Sequence, residues 1–413
     1  MKLVTKNSLI TSKEINVVTK KVALYLRDLK KHPAAFMEIL NDHDLLAEVK
    51  KIARIHGNVK YIFVIGIGGS NLGAKAIYDA LLGYHDPYEP TRAPKMLFAD
   101  TTDPKIIDTQ ITFLKKQKLE DVLFVVISKS GGTTETVVNA EILLRVHHPK
   151  NRVVVITDQD SPLWQEAQKN KFTLLAIPPS LGGRFSVLSA VGLLPLAVAG
   201  IDITELQRGA LEMNKLCTLT DPAKNPALTF ASILYAHYKA GKPTNVLFLF
   251  HSELASLGAW YRQLVAESLG KNSQGFMPDV AIGSTDLHSL GQLYFDGPRD
   301  KVTTFIYSGE ILGAPRVPNK TIFGALSRSL TGKSVAEIMD AILTGTKIAY
   351  TKQGLPFMEI ELPHLDAKNL GSFMQFKMME TIFLAKLMNV NAFDQPAVEL
   401  YKEETRRILQ GHL

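Results

Sequence analysis

The stretch YIFVIGIGGSNLGAKAIYDALLG, residues 61–83, passes from a β-branched and aromatic run through Gly66, Gly68, Gly69 and Ser70 into apolar residues at helical spacing. That order predicts a buried strand, a tight turn and a helix. A dinucleotide fingerprint would need glycine or alanine three places after the second glycine, and Asn71 stands there. A nucleotide-triphosphate loop would need Gly-Lys followed by Ser or Thr, whereas this turn continues Ser70-Asn71-Leu72-Gly73-Ala74-Lys75. What remains is a helix N-terminus with unpaired amides, which suits a small phosphate. Taken alone, the glycines also fit a tight turn that binds nothing.

The same texture continues outward. KMLFAD, VLFVVISKS, RVVVITDQ and FTLLAIP alternate with helical segments up to about residue 177. Short apolar runs separated by helices indicate a parallel sheet covered on both faces. After the helical stretch FSVLSAVGLLPLAVAGI, a second series comprises NVLFLFHS, VTTFIYS and FMEIEL. The expected fold is therefore α/β, with two tandem doubly wound units and a boundary near residues 200–225. Residues 1–50 read as a helical segment broken near Pro33, 51–205 as the first domain, 206–370 as the second, and 371–413 as a C-terminal pair of helices. In that last piece Asn391 or Asp394 is expected to cap, and Pro396 to open, the final helix.

Composition narrows the function classes. With 46% hydrophobic and 21% charged residues, and no apolar run of bilayer length, the chain reads as soluble and globular rather than membrane-bound. The opening residues lack a secretory pattern and Cys217 stands alone, so a reducing cytoplasm is expected. The net charge of +7 is spread among acids instead of gathered in a block, which argues against nucleic acid and is compatible with anionic small substrates.

A second turn, VLFVVISKSGGTTETVVNAEILL, crowds Ser128, Lys129, Ser130, Thr133 and Thr134 at another strand-to-helix junction. Hydroxyls, amides and an ammonium are what the oxygens of a phosphate monoester need, although Ser and Thr also cap helices. Loops at the carboxyl ends of neighbouring strands face one crevice, so the two turns can share a ligand. Three further places carry chemistry. Arg184, after Gly182 and Gly183, is placed to stabilise developing negative charge, or to pair with a surface acid. Gln263 and Glu267, four apart, share a helix face; partly buried, Glu267 serves as a general base, and exposed, it is an ordinary helix glutamate. His288 follows Ser284, Thr285 and Asp286, and DQPAVELYKEE supplies Gln395 and Lys402. No His or Cys cluster has metal-ligand spacing.

Together, from about residue 60 to the C-terminus, these motifs closely resemble the glucose-6-phosphate isomerase (phosphoglucose isomerase) family. The resemblance implies a pair of sugar-isomerase (SIS) domains and the reversible conversion of glucose 6-phosphate to fructose 6-phosphate, in glycolysis and gluconeogenesis, without metal or organic cofactor. It implies phosphate binding by Ser70, Ser128, Lys129, Ser130 and Thr133, with Gly69 lining the sugar. In GGRF, Arg184 matches the arginine beside the enediolate; in QLVAES, Glu267 matches the proton-transferring base and Gln263 a ligand-facing glutamine. His288 matches the histidine of ring opening, which in this family comes from the partner subunit of a homodimer. FDQPAVELYK matches the C-terminal signature, placing Gln395 near the phosphate and Lys402 near the ring oxygen. Two departures stand out: Gly131 and Gly132 replace the more usual threonine or phenylalanine, and ESLGK replaces Glu-Ser-Asn-Gly-Lys. At 413 residues the chain is shorter than most members, which implies a compact bacterial form. The alternatives are a related isomerase also acting on mannose 6-phosphate or amino-sugar phosphates, and a non-catalytic sugar-phosphate sensor.

Overall fold

The computed structural model describes residues 1–147, 151–221, 224–309 and 313–411. Its ten strands are β1 (Lys2–Val4), β2 (Tyr61–Ile65), β3 (Lys95–Ala99), β4 (Val122–Ile127), β5 (Val153–Thr157), β6 (Thr173–Ala176), β7 (Thr244–Leu249), β8 (Met277–Ile282), β9 (Lys301–Ser308) and β10 (Phe357–Leu362). They form two five-stranded sheets, ordered β3-β2-β4-β5-β6 and β1-β10-β9-β7-β8. Every pairing is parallel except that of β1 with β10. In each sheet the unit's first long strand lies between the second and the third, so the two units share one winding. The expected tandem of doubly wound α/β units is present.

Two strands escape the apolar-run pattern. MPDVAI forms β8 at a sheet edge, where Pro278 removes an amide that an edge strand can forgo. Residues 2–4, read from sequence as helical, add β1 antiparallel to the far end of the second sheet, before helices at Ser12–Lys20, Ala23–Lys31, Ala35–Glu38 and His43–Ile55. The final two helices are Ala367–Met388 and Val398–Leu409. Ala397, not Asn391 or Asp394, occupies the last helix's N-cap, without a side-chain bond. Asn391 instead accepts from the Phe393 amide at 3.0 Å and donates to Asp394 at 2.8 Å, so its capping capacity is spent inside the loop.

Strand alternation sorts the apolar residues into three cores. Phe63, Ile65, Phe124 and Val126 face the outer layer of the first sheet, and Val246, Phe248, Phe305 and Phe357 that of the second. Ile62, Val64, Val125, Leu247, Leu249 and Ile360 point inward to one continuous core common to both units. The Ala367–Met388 helix lies in that common core and is buried around nearly its whole circumference. Its charged pair is fully buried: Lys377 Nζ reaches both carboxylate oxygens of Glu380 at 3.0 Å and lies against the rings of Tyr261 and Phe230. Burial pushes the Lys377 ammonium down and the Glu380 carboxyl up, and each partner opposes the shift of the other.

The same helix crosses Ile203–Cys217 at close range. A Cβ on Gly371 would fall 2.0 Å from the Leu206 carbonyl oxygen, and one on Gly209 would fall 1.8 Å from that of Lys368. Gly371→Ala is therefore expected to lower the urea unfolding midpoint, at a cost of about 1–3 kcal/mol for overpacking. An unchanged midpoint would mean that the two helices part without loss.

Candidate functional site

The ends of β2 and β4 are level, with Ile65 opposite Val126, and they flank the point where the strand order reverses. A crevice opens there at the carboxyl edge of the first sheet. The helices entered from the other strands of this sheet are capped by side chains: Asp103 after β3, Ser161 after β5 and Ser189 after β6. Those after β2 and β4 begin at Asn71 and Thr133 with no side-chain cap. Their first amides are therefore left for another acceptor. The Thr133 hydroxyl lies 3.0 Å from Ser128 Oγ, so this hydroxyl pair belongs to the crevice and not to helix capping. Ser130, exposed, accepts from the Gly132 amide at 3.3 Å. Gly131 has φ +67°, and a Cβ there would fall 2.8 Å from Cβ of Ser161. That accounts for glycine at 131, where a side chain would be strained in this turn, whereas nothing in the structure explains glycine at 132.

Lys129 ties this turn to the segment after β6, donating to the Pro179 carbonyl at 2.5 Å. Burial pulls its ammonium below the ordinary lysine value, and Asp158 partly offsets the effect. The segment then runs through Gly183 beneath the first glycine turn. A Cβ on Gly69 would lie 2.2 Å from the Gly183 carbonyl carbon, and one on Gly68 would lie 2.8 Å from Gln263 Nε2. Ser186 Oγ secures the contact, donating to Gly183 O at 2.7 Å and Gly69 O at 3.3 Å. The glycines thus allow three loops and a helix of the second unit to converge.

Arg184 stands at that convergence, its side chain only 2% exposed. Nε donates to Ser268 Oγ at 2.8 Å; Nη1 donates to Glu267 at 3.1 Å and to Gln395 Oε1 at 2.8 Å; Nη2 donates to the carbonyls of Ala392 and Asp394. All five guanidinium protons have acceptors. Burial lowers its pKa, while Glu267 and Asp394 act to keep it charged. Glu267 and Gln263 come from the Ala255–Leu269 helix, one turn apart, and Gln263 Nε2 donates to the second Glu267 oxygen at 3.0 Å. Glu267 is partly buried, its side chain 29% exposed. The Gln263 Oε1 atom is buried with no hydrogen-bond partner among the described residues.

The fold brings together Gly69, Ser70, Ser128, Lys129, Ser130, Thr133, Arg184, Gln263, Glu267 and Gln395. Gln395 rests on Arg184 through a side-chain hydrogen bond. His288 is exposed, in a 3-10 turn (Thr285–His288) after β8, on the second sheet. Lys402, on the outer helix Val398–Leu409, pairs with Glu399 of its own helix at 2.8 Å. Neither has a hydrogen bond or ion pair to Arg184 or Glu267 among those of the described residues. Sequence reading passed over Ser268 and Lys271 as partners; both lie in the ESLGK run that follows the glutamate, which was the signal available.

Residues 17–287 match the sequence profile of the family described as phosphoglucose isomerase. The chain is 35% identical to the glucose-6-phosphate isomerase of Methanocaldococcus jannaschii, over 91% of this chain and 89% of that one. It is 33% identical to the glucose-6-phosphate isomerase of Rubrobacter xylanophilus, over 96% and 94%. This chain belongs to the phosphoglucose isomerase family. Among solved structures, a hypothetical protein of Thermus thermophilus superposes with a TM-score of 0.90 at 30% identity, covering 99% of both chains. A glucose-6-phosphate isomerase of Chlamydia trachomatis has the same fold, with a TM-score of 0.83 at 20% identity over 98% of this chain and 87% of that one. The doubly wound pair of sheets is thus the family's fold.

The close packing of Gly69 on Gly183 generates a prediction. Gly69→Ala displaces the first turn from Arg184 and is expected to weaken binding of a hexose 6-phosphate by roughly tenfold to a hundredfold. Titration calorimetry against the unaltered chain reads the change, and equal affinities would show that the contact does not set the pocket.

Proposed function

We propose that this family member interconverts glucose 6-phosphate and fructose 6-phosphate by proton transfer through a cis-enediol. The observation that carries the reading is the sharing of Arg184 by Glu267 and Gln395 beside the uncapped, hydroxyl-lined ends of β2 and β4. In this reading the phosphate monoester sits on the two helix N-termini, held by Ser70, Ser128, Ser130 and Thr133 with Lys129 nearby, and the sugar lies along Gly69. Binding energy from this non-reacting group holds C1 and C2 against Glu267.

The chemistry balances within the substrate. Once the ring opens, the Glu267 carboxylate takes the proton from C2, and the C1 carbonyl oxygen gains negative charge as the enediolate forms. Arg184 offsets that charge. Proton transfer between the two hydroxyl oxygens and return of the proton from Glu267 to C1 give the ketose. No electrons leave the substrate, so the route calls for no redox cofactor. Gln263, already donating to Glu267, offers its free Oε1 to the ligand. His288 of a partner subunit and Lys402 are assigned the ring-oxygen and hydroxyl protons.

The His288 assignment calls for a homodimer, and exposed apolar surface supports one. His288 is exposed on its own chain, and so are Ile322, Phe323 and Leu326 and the apolar residues Leu400, Ile408 and Leu409 of the outer helix. Such surfaces favour association. No helix of the described residues is long and apolar enough to cross a membrane, and we assign the enzyme to the cytoplasm, where its sugar phosphates are metabolised.

Mixing the protein with fructose 6-phosphate and assaying glucose 6-phosphate tests the reaction. Glu267→Gln keeps the shape but not the base, and is expected to cost roughly 10²–10⁴-fold in kcat with inhibitor binding retained. Turnover in deuterated water should place solvent label at C2; full retention of the original hydrogen would point to a hydride shift.

The shared site has its own test. Glu267→Gln and His288→Ala homodimers should each be nearly inactive. Refolded together in equal amounts, they should regain about a quarter of normal activity, because half of the dimers are mixed and each mixed dimer holds one intact site. Verified mixed dimers without recovery would place both residues within one chain.

A further inference from the structure

Lys271 lies two residues beyond the Ala255–Leu269 helix that carries Glu267, and its side chain is only 11% exposed. Its ammonium donates to the carbonyls of Glu267 at 2.9 Å and Ser268 at 3.0 Å, two of the C-terminal acceptors that a helix leaves unpaired. The same group reaches across to the Asn391 carbonyl at 2.5 Å and to the Asp394 carboxylate at 3.3 Å. A single part-buried cation therefore joins the end of the glutamate-bearing helix to the loop that carries Gln395.

That loop needs such an anchor. It leaves the preceding helix at Asn389, in the left-handed conformation, and ends in Val398–Leu409, a helix with no buried residue. Among the described residues that outer helix buries none of its own, so its packing does little to hold the loop from its far side. Its restraints include Ala392 in the common core, the Phe393 ring against Phe185, with centroids 5.4 Å apart, the Arg184 bonds to 392, 394 and 395, and Lys271. Arg184 cannot do both tasks: if the loop drifts, the guanidinium loses the carbonyls of 392 and 394 and the Gln395 oxygen together, and its remaining bonds to Glu267 and Ser268 no longer fix its plane.

We propose that Lys271 is a positioning residue for the isomerase reaction, clamping the 391–395 loop to the glutamate-bearing helix so that Arg184 is held for the enediolate. This rests on the reading given above. The phosphate cradle is built mainly from the loops after β2 and β4, which Lys271 does not touch, with Gln395 its one contribution from the clamped loop, so the clamp acts chiefly on the reacting end of the sugar.

Three ligands and three variants test it. For Lys271→Met, kcat should fall by about 10- to 100-fold while KM stays within about threefold. The binding constant for a five-carbon aldonate 5-phosphate, whose carboxylate imitates the enediolate, should weaken by about tenfold or more, whereas that for a hexitol 6-phosphate should weaken by no more than about threefold. Because affinities do not depend on the fraction of active protein, a merely destabilised fold would not produce this split. Lys271→Arg should recover most of the loss, and Asp394→Asn, which keeps the three carbonyl bonds, should fall between. Limited proteolysis of the ligand-free protein should cut within 389–411 faster in Lys271→Met than in the unaltered chain. An unaltered chain that neither binds nor converts hexose phosphates would overturn the isomerase reading, and the cleavage rates would still decide the clamp. Equal cleavage, a kcat within twofold of normal, equal weakening of both analogues, or no recovery in Lys271→Arg would each overturn it.

Discussion

The site depends on burying one guanidinium. Removing a cation from water costs several kcal/mol unless its protons find acceptors of the right geometry, and a planar five-donor group demands them in fixed directions. Arg184 meets the demand only when three pieces are in place at once: its own segment after β6, the 255–269 helix with Glu267 and Ser268, and the loop with Ala392, Asp394 and Gln395. The penalty for leaving any of these acceptors absent makes the arrangement mutually enforcing. In the proposed reaction it also sets charge beside the base before a substrate arrives, so that little reorganisation would be needed as the enediolate forms.

Such a junction is possible because the two units are not separate bodies joined by a linker. Alternate residues of both sheets feed one common core, and the 367–388 helix runs through its middle. Glycine pairs set the close approaches: Gly209 and Gly371 between helices, and Gly69 and Gly183 between the loops of the crevice. At Gly209, Gly371 and Gly69 a methyl group would stand inside the van der Waals distance of a backbone atom, so the separation of the elements is a steric consequence of residue size. The outer sheet faces, by contrast, serve their own layers, which leaves the crevice edge free to carry polar loops.

Division of labour follows from the same geometry. The first unit supplies uncapped helix ends and hydroxyls, to which the proposed reaction assigns the charged group that does not react. The second unit and the C-terminal loop supply the carboxylate and the amides, and Arg184 crosses between them. Anchoring the ligand on one rigid sheet and reacting it with groups from another lets binding energy be spent on alignment.

Much of this was legible in the chain itself. Short apolar runs with intervening helices declared the doubly wound sheets, and the glycine turn excluded both large nucleotide sites through Asn71 and the missing Gly-Lys pair. The hydroxyl-rich SKSGGTT turn and the four-residue spacing of Gln263 and Glu267 were also visible, because those signals act over a few neighbouring residues. The short β1 and the Pro278-bearing β8 were not, since pairing at an edge tolerates sequences that propensity disfavours. Neither was the central place of the 367–388 helix, whose Lys377 and Glu380 read as surface charges until they are seen to neutralise each other. Only the tertiary structure decided that Arg184 meets a carboxylate 83 positions away and a glutamine 211 positions away. Local sequence sets torsions and hydrogen bonds within a turn or two, whereas distant side chains meet only where the packing of a common core brings their backbones together.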